Sequence, residues 1–387
     1  MFNRIISYSK SNSLFVFGPR GTGKTTLINQ LFSKSDTLFI DLLNPVEEDL
    51  FIRYPHELEQ RIKQFGKNIQ CVVIDEVQKA PRLLDSVQGL IEKMGLRFVL
   101  TGSSSRKLKR GAANMLAGRA FVYTLHPLTS IEMADAFSLN EALSWGTLPK
   151  VHTLTNAADK ADFLRAYALT YIKEEIVAEQ IVRKLDPFRR FLEIAAQMNG
   201  KPVNYTRIAG EAGVDVKTVQ NYFEILEDTQ TGFLLNAHHA SKRKSLRLAP
   251  KAYVFDTGVK RALERSLSEA LTPGTYAYGD AFEHFMILEI RRLASYRQPD
   301  WEFSFFRTKD GVEIDLIIDR PGKPTALVEI KSAAAVSDRD VSTLNRILKE
   351  FTPAEAYCLS QDPNPKTIGS VSCLPWQEGL KALGLVF

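Results

Sequence analysis

Short apolar runs alternate with segments of helical spacing along the first third of the chain. The runs have the length of buried strands and cover residues 14–17, 37–41, 69–74, 96–101 and 120–125. Between them, apolar positions recur at helical spacing, as in residues 25–32. Because parallel strands need crossover connections, this alternation predicts an α/β domain whose parallel sheet is covered by helices on both faces.

The middle of the chain is predicted to be helical. A long amphipathic helix is expected at 157–181 and another at 188–198. Residues 205–222 then have the spacing of a helix-turn-helix, in which Gly213 permits the turn and Asp215 caps the second helix. A strand from residue 232, a basic loop and a second strand at 246–248 complete the outline of a winged helix.

Beyond a predicted linker at 271–275, helices and strands alternate again. The expected helices are 279–293 and 338–351, and the expected strands are 303–307, 312–318, 326–331 and 355–359. The sequence therefore predicts three domains, at 1–150, 151–270 and 271–387.

Composition narrows the class of protein. The chain of 387 residues is 44% hydrophobic, which allows hydrophobic cores of ordinary size. The sequence has no run of 18 apolar residues, so no membrane span is expected. Cys71, Cys358 and Cys373 lie far apart without zinc or disulfide spacing, and no secretion signal is recognised, so a cytoplasmic location is expected. The net charge of +5 is weak evidence for a polyanionic partner.

Residues 18–25 match the pattern G-x-x-x-x-G-K-[ST] of a P-loop, or Walker A motif, between a predicted strand and a predicted helix. Glycines let backbone N–H groups turn around a triphosphate, and the helix start adds its positive dipole end. Lys24 would contact the β- and γ-phosphates, and the Thr25 hydroxyl would hold Mg2+. The candidate ATP-binding residues here are Gly18, Pro19, Arg20, Gly21, Thr22, Gly23, Lys24, Thr25 and Thr26.

The strand at 69–74 ends in Asp75 and Glu76, as in a Walker B site. Asp75 would hold Mg2+ through water, and Glu76 would polarise the attacking water as a general base. After the next strand, Thr101 or Ser103 is a candidate for a contact with that water or the γ-phosphate, or alternatively for a helix N-cap.

Arg119 precedes the strand at 120–125 and is a candidate catalytic residue. An arginine here could neutralise transition-state charge, either in cis or on a neighbouring subunit. The alternative is an ordinary surface arginine.

These motifs resemble the ATPase domain of the AAA-type superfamily, most closely prokaryotic ATPases with a C-terminal domain of long-undefined role. The resemblance implies ATP hydrolysis and assembly as homo-oligomers, often rings with the site at a subunit boundary. It is carried by GPRGTGKT (18–25), VVIDEVQ (72–78), LTGSSS (100–105), LAGR (116–119), HPLTSIE (126–132) and GTLP (146–149).

The second helix of the predicted helix-turn-helix directs polar residues outward, where they could enter a DNA groove. These residues are Lys217, Gln220 and Asn221, and the basic loop adds Lys242, Arg243 and Lys244 for phosphate or minor-groove contacts. The alternative is a winged-helix fold used for packing or protein contacts.

The C-terminal segment carries a second set of candidate catalytic residues. Glu283 lies on a predicted helix, Asp315 on one strand, and Glu329 and Lys331 on one face of the next strand. Carboxylates suit Mg2+, so Glu283, Asp315 and Glu329 could hold one or two Mg2+ ions, with Asp315 and Glu329 as the candidate metal ligands on the strands. Lys331 would orient the water or stabilise charge on a phosphate. The set resembles the PD-(D/E)xK nuclease superfamily over residues 275–370, which also agrees with the C-terminal domain of the ATPase family. The alternatives are an exposed strand face of alternating charge and a domain of this fold that serves for DNA binding without cleavage.

The chain is therefore expected to bind and hydrolyse ATP, to bind DNA, and to act as an oligomeric motor that remodels branched or broken DNA. Two other functions stay open. One is a nucleotide-controlled switch that binds DNA or protein, and the other is an ATP-gated nuclease of a defence system.

Overall fold

A computed structural model of the chain describes residues 2–66, 68–104, 116, 118–171, 185–239, 248–308 and 310–386. The chain forms two compact units. The first comprises Met1–Leu128, Leu148–Lys150 and Ile225–Thr231, and the second comprises Thr129–Thr147, Val151–Glu224 and Gly232–Phe387. Among the helices of the described ranges, none is both long and apolar enough to cross a membrane.

The first unit is built on a sheet of five parallel strands, as the alternating pattern predicted. The strands are β1 (Ser13–Phe17), β2 (Thr37–Asp41), β3 (Cys71–Asp75), β4 (Arg97–Gly102) and β5 (Ala120–Thr124). Their order in the sheet is β2-β3-β4-β1-β5. β1, β3 and β4 are almost wholly buried, because parallel strands carry apolar side chains toward helices on both faces.

Helices and a short 3-10 turn complete the first unit. They are α1 (Lys24–Leu31), α2 (Pro45–Arg53), α3 (Glu57–Phe65), the 3-10 turn Val77–Lys79 and α4 (Leu83–Met94). The core joins strand residues such as Phe15 and Phe98 to helix residues such as Phe51, Leu58 and Val87, all fully buried.

The register of the strands brings three loops to one edge of this sheet. Phe17 pairs with Gly102, and Ile74 pairs with Leu100, so β1, β3 and β4 end side by side. In open α/β sheets, ligands bind beyond the carboxyl ends of the strands. The loop of residues 18–25 therefore lies next to the ends of β3 and β4.

The second unit contains most of the helices. They are α5 (Ser130–Met133), α6 (Leu139–Trp145), α7 (Ala157–Ala166), α8 (Leu185–Gln197), α9 (Tyr205–Ala212), α10 (Val216–Asp228, of which this unit holds the part to Glu224), α11 (Thr257–Leu263), α12 (Tyr276–Arg297), α13 (Asp338–Ile347) and α14 (Trp376–Ala382). The helix predicted at 157–181 is α7 followed by a π-helical turn, Tyr167–Tyr171, and residues 172–181 lie outside the described ranges.

Aromatic side chains hold α8, α9 and α10 together. The rings of Phe188 and Tyr222 meet edge to face at 4.8 Å, and those of Phe191 and Phe223 do so at 4.9 Å. Gly213 joins α9 to α10 at φ 71°, a left-handed conformation that glycine adopts without strain. The Asp215 carboxylate accepts the Thr218 N–H at 2.9 Å, so the predicted turn and cap are both present.

The remaining strands form one sheet of eight. They are β6 (Gly232–Ala237), β7 (Lys251–Val254), β8 (Glu302–Arg307), β9 (Glu313–Asp319), β10 (Thr325–Lys331), β11 (Ala354–Ser360), β12 (Lys366–Ile368) and β13 (Val371–Pro375). Their order is β12-β13-β11-β10-β9-β8-β6-β7. Helix α12 is buried along most of its length, including Phe282, Phe285 and Ile290.

The pairing of β6 adds to the prediction in two respects. The antiparallel partner of β6 is β7. Of the second strand predicted at 246–248, residues 246 and 247 lie outside the described ranges. In addition, β6 pairs in parallel with β8 through Asn236 and Ala237, so the hairpin is part of the C-terminal sheet. Backbone hydrogen bonds therefore cross the domain boundary predicted near residue 270.

Candidate functional site

The loop of residues 18–25 needs its glycines for space and for backbone conformation. Gly21 and Gly23 have φ angles of 76° and 93°, which other residues rarely adopt. A Cβ atom on Gly18 would lie 2.3 Å from the Leu125 carbonyl oxygen, so a larger residue would displace the loop from β5. The Arg4 guanidinium donates to the Thr22 carbonyl at 2.8 Å and braces the loop, a contact that the sequence did not indicate.

Lys24 opens α1 and turns back over the loop. Its side chain is buried, and its Nζ donates to the carbonyl oxygens of Gly18 at 2.8 Å and Pro19 at 3.2 Å. The ammonium group therefore lies over the loop whose N–H groups and helix N-terminus favour an anion. Of the other predicted loop residues, Arg20 and Thr26 are exposed, while the Thr22 hydroxyl is buried and donates to Pro19.

Asp75 joins three elements through its two carboxylate oxygens. Its Oδ2 accepts the Thr25 hydroxyl at 2.7 Å, which ties β3 to α1. Its Oδ1 accepts the Thr101 hydroxyl, which ties β3 to β4. Thr101 in turn accepts the Glu76 N–H at 3.1 Å, so its side chain supports the acidic pair directly.

The oxygen donors of Thr25 and Asp75 fit Mg2+. This ion prefers hard oxygen ligands and is usually held by one or two protein groups together with waters and phosphates. The hydroxyl and the carboxylate already touch at the mouth of the loop, where a bound triphosphate would supply the remaining ligands.

Glu76 begins a tight turn after β3. Its φ of 60° is left-handed, and the turn is closed by the Lys79 N–H donating to the Glu76 carbonyl at 3.0 Å. The Gln78 carboxamide donates to Glu76 Oε2 and, at 3.1 Å, to Ser103 Oγ. Sequence reasoning assigned no role to Gln78, although it is the polar residue that follows the acidic pair within VVIDEVQ.

Arg119 lies just before β5, at the opposite end of the strands from the loop of residues 18–25. Its neighbour Ala120 pairs with Ser13 at the start of β1, while the loop of residues 18–25 follows the end of that strand. A strand of this length separates the two by about 15 Å. Arg119 contacts Glu92 of α4 at 2.5 Å, so the predicted action in cis is excluded by geometry, and action on a neighbouring subunit stays a prediction.

The predicted C-terminal residues gather at one end of β9 and β10. Asp315 Oδ2 accepts the Ile330 N–H at 2.8 Å, and Lys331 Nζ lies 2.6 Å from Glu329 Oε1. Burial and the charge of Asp315 raise the pKa of Glu329 to about 8 and that of Glu283, on α12, to about 7. The charge of Asp315 thus affects the pKa of both carboxyl groups, so the predicted residues form one cluster.

Two residues of β7 join this cluster. Lys251 is almost fully buried, and its Nζ lies 2.5 Å from Glu313 Oε1 and 3.6 Å from Glu283 Oε1. Tyr253 donates its hydroxyl to Glu283 at 3.2 Å. Both residues line a cleft of about 210 Å3 with Glu283 and Glu313. Sequence spacing gave no signal for them, because strand pairing brings β7 to this sheet.

The donor types of Asp315 and Glu329 suit Mg2+, and Glu329 Oε2 is a buried oxygen without a hydrogen-bond partner among the described residues. The arrangement of charges fits Mg2+ less well, because the ammonium groups of Lys251 and Lys331 already neutralise part of the negative charge of the carboxylates. Within the described ranges, no three His, Cys, Asp or Glu side chains are grouped to hold a metal. A magnesium site here stays a prediction.

The predicted nucleic-acid residues fall into two groups. Lys217, Gln220 and Asn221 are exposed on one face of α10, while Val219, Tyr222 and Phe223 are buried on the other. Lys242, Arg243 and Lys244 lie outside the described residues.

The acidic cluster predicts a pH dependence of stability. A carboxyl group whose pKa is raised by folding stabilises the protein below its unfolded pKa, and this contribution is lost as the pH rises through the folded value. For Glu283 and Glu329 that loss runs from about pH 4.5 to about pH 8. Wild-type Tm should therefore fall between pH 6 and 9, by about 1 °C for each kcal/mol lost in a chain of this length.

Glu329→Gln cannot ionise at this position and should flatten that fall, whereas Glu302→Gln, at an exposed site on β8, should not. Calorimetry at pH 6, 7, 8 and 9 measures both. A wild-type Tm that stays level or rises over this range would contradict the assignment.

Family models match consecutive parts of the chain. Residues 10–134 match a family described as an AAA domain. Residues 136–270 and 278–378 match two families described as domains of unknown function, DUF8612 and DUF4143.

The chain is also similar to uncharacterized proteins. It is 26% identical over 324 residues to Rv2008c of Mycobacterium tuberculosis, covering 83% of this chain and 70% of that protein. It is 22% identical over 361 residues to MJ1544 of Methanocaldococcus jannaschii, covering 87% and 78%. A similarity to the Aeropyrum pernix ORC1 protein in complex with DNA has 14% identity, coverage of 67% and 87%, and a TM-score of 0.26, too low to support an inference.

The family match and the local structure agree over the first unit. The matched residues contain the glycine-rich loop, the carboxylates at the end of β3 and all five parallel strands. The amino-terminal part of this chain is thus similar to the AAA domain family over residues 10–134.

Proposed function

We propose that the chain binds and hydrolyses ATP at the loop of residues 18–25 and uses this reaction to act on DNA. The observation that carries the proposal is the meeting of Lys24, Thr25 and Asp75 at the carboxyl edge of one parallel sheet. Two features at the carboxyl ends of these strands favour the binding of an anion, namely the turn with its backbone amides and the start of α1. The acidic group beside them favours the binding of a cation.

Each residue at this site would have a role that follows from its position. Lys24 would exchange its two carbonyl partners for oxygens of the β- and γ-phosphates, and Thr25 and Asp75 would hold Mg2+. Mg2+ supplies charge neutralisation on the phosphates when it is bound. Glu76 would accept a hydrogen bond from the attacking water, and Thr101 holds the Glu76 backbone in place.

Arg119 supports assembly into a homo-oligomer. It cannot reach the nucleotide loop of its own chain, but it is partly exposed at the edge of the first unit. In a head-to-tail assembly an arginine at such an edge could reach the loop of the next subunit and stabilise transition-state charge.

Helix α10 supports the DNA part of the proposal. Lys217, Gln220 and Asn221 lie three and four residues apart, so they share one exposed face of a helix that follows a tight turn. A helix in this setting can enter the major groove, with lysine contacting phosphate and the amides contacting bases.

A regulatory switch that binds DNA or protein without moving along it uses the same residues. The two functions differ in coupling, because a motor should hydrolyse ATP faster when DNA is bound, whereas a switch need not. Phosphate release measured with and without duplex DNA separates them.

We expect Lys24→Ala to lower phosphate release at least about 100-fold and to weaken ATP binding, because a buried cation at the phosphates is lost. Glu76→Gln should abolish hydrolysis while ATP still binds, because the base acts on water and not on the nucleotide. Phosphate release and binding of a fluorescent ATP analogue measure the two effects. Wild-type turnover in Lys24→Ala would refute the nucleotide site.

DNA binding is predicted to depend on α10. Lys217→Ala should weaken binding to any duplex and reduce the slope of log affinity against log salt by about 0.9, the value for one phosphate contact. Gln220→Ala and Asn221→Ala should change sequence preference more than this slope. Anisotropy titrations between 50 and 200 mM salt test these effects, with Lys34→Ala as a control at an exposed lysine of the first unit. Equal slopes for the two lysine variants would argue against this surface.

Cleavage of DNA by the C-terminal cluster is a second candidate function. It is favoured by the unpartnered oxygen of Glu329 beside Lys331 and Asp315. Wild-type protein should then nick supercoiled DNA in Mg2+, and Lys331→Ala should not, because the cation near the reacting phosphate is lost. Lys323→Ala, in the exposed turn between β9 and β10, is the matched control. If wild type and Lys331→Ala both leave the DNA intact, the cluster is not a nuclease site.

A further inference from the structure

We propose that Gln78 is a positioning residue that orients the general base Glu76 through Ser103, an inference that rests on the proposed ATPase function. The Gln78 side chain reaches back from the 3-10 turn to the carboxylate two residues before it. The same carboxamide spans to Ser103, which follows the end of β4. Gln78 thus connects the base to a strand of the sheet.

Both N–H groups of the carboxamide are used in this contact. Nε2 donates to Glu76 Oε2 and to Ser103 Oγ, the latter at 3.1 Å. The reversed amide would direct its oxygen at a carboxylate, which is repulsive, so the hydrogen-bond network determines the orientation. An N–H donated to a charged carboxylate is also stronger than one donated to a neutral group.

The fold keeps Gln78 at this place despite a local cost. The side chain is 7% exposed, and its Oε1 has no hydrogen-bond partner among the described residues. A buried acceptor without a partner lowers stability, because its desolvation is not compensated. A Cβ atom on Gly102 would lie 2.5 Å from this oxygen, so β4 accommodates the carboxamide by ending in glycine. A buried polar group with such a cost calls for a functional explanation.

Strand β4 therefore holds Glu76 at two points. Thr101 accepts the Glu76 backbone N–H at 3.1 Å, and Ser103 anchors the carboxamide that holds the Glu76 side chain. Gln78 engages Oε2, which leaves Oε1 to accept a hydrogen bond from water. A base oriented by a third group is the arrangement expected where geometry limits the rate of proton transfer.

This arrangement predicts an effect on the rate of hydrolysis and not on nucleotide binding. The side chain of Gln78 donates to Glu76 and Ser103, whereas Lys24, Thr25 and Asp75 would hold the nucleotide and Mg2+. In Gln78→Leu the carboxylate loses its restraint, and kcat should fall about 100-fold, the effect of misplacing a catalytic group by about 1 Å. KM and the affinity for an ATP analogue should stay within about twofold.

Gln60→Leu is a matched control. Gln60 is an exposed glutamine of α3 whose Nε2 likewise donates to a glutamate, Glu57, at 3.3 Å. The same substitution at this position should leave kcat, KM and nucleotide affinity unchanged. Tm of each variant shows whether the fold is retained.

Gln78→Glu supplies a second variant, which keeps the length and shape of the side chain. A carboxylate at this position repels the Glu76 carboxylate and cannot donate a hydrogen bond to it as the carboxamide does. The kcat of Gln78→Glu should therefore fall as in Gln78→Leu, while KM and the affinity for an ATP analogue stay within about twofold.

The experiment measures steady-state phosphate release, ATP-analogue binding and Tm for full-length wild type and the three variants. A lower kcat with unchanged KM and unchanged binding in Gln78→Leu and in Gln78→Glu supports the positioning role. Wild-type kcat in either Gln78 variant overturns it, and so does an equal loss of nucleotide affinity. If wild type itself neither binds nor hydrolyses ATP, the proposed function fails, which is a different result.

Discussion

The first unit depends on the carboxylate of Asp75, which accepts hydroxyl hydrogen bonds from α1 and from β4 at the same time. A buried carboxylate is costly unless it is paired or hydrogen-bonded, and here Thr25 and Thr101 occupy one oxygen each. These bonds lock the helix after the glycine-rich loop to the two central strands. The distance between Lys24 over the loop and the acids at the end of β3 is set by this single junction.

The two acidic sites of the chain solve the problem of buried charge differently. In the first unit, hydroxyl groups of α1 and β4 donate to Asp75, and the Gln78 carboxamide of the 3-10 turn donates to Glu76. In the second unit, Glu283 and Glu329 face Asp315, and lysines from β7 and β10 provide the balancing charge. Neutral donors orient a carboxylate without removing its charge, whereas mutual repulsion and burial favour its protonated form. The first arrangement suits a base, and the second suits a cluster that stays partly protonated near neutral pH.

Local sequence patterns were sufficient to predict the elements that are formed by residues close together in the chain. The five parallel strands, the loop at 18–25, the turn at Gly213 and the cap at Asp215 each follow from residues within one short segment. Long-range pairing was not visible in the same way. The pairing of β6 with β7 and its link to β8 were not predicted, because the pattern of a half-buried strand shows which face is apolar but not which strand lies alongside.

The sequence by itself determined that this chain has a glycine-rich loop between a strand and a helix, an acidic strand end and a carboxylate-lysine strand, because each is a run of adjacent residues with a defined local geometry. Tertiary structure decided which side chains complete these sites. The register of β3 and β4 places Ser103 next to Gln78, and strand pairing places Lys251 next to Glu313. In the parallel sheet, Arg119 lies at the opposite end of the strands from the loop of residues 18–25. The physical reason is that backbone hydrogen bonding between distant segments fixes these distances, and spacing along the chain does not encode it.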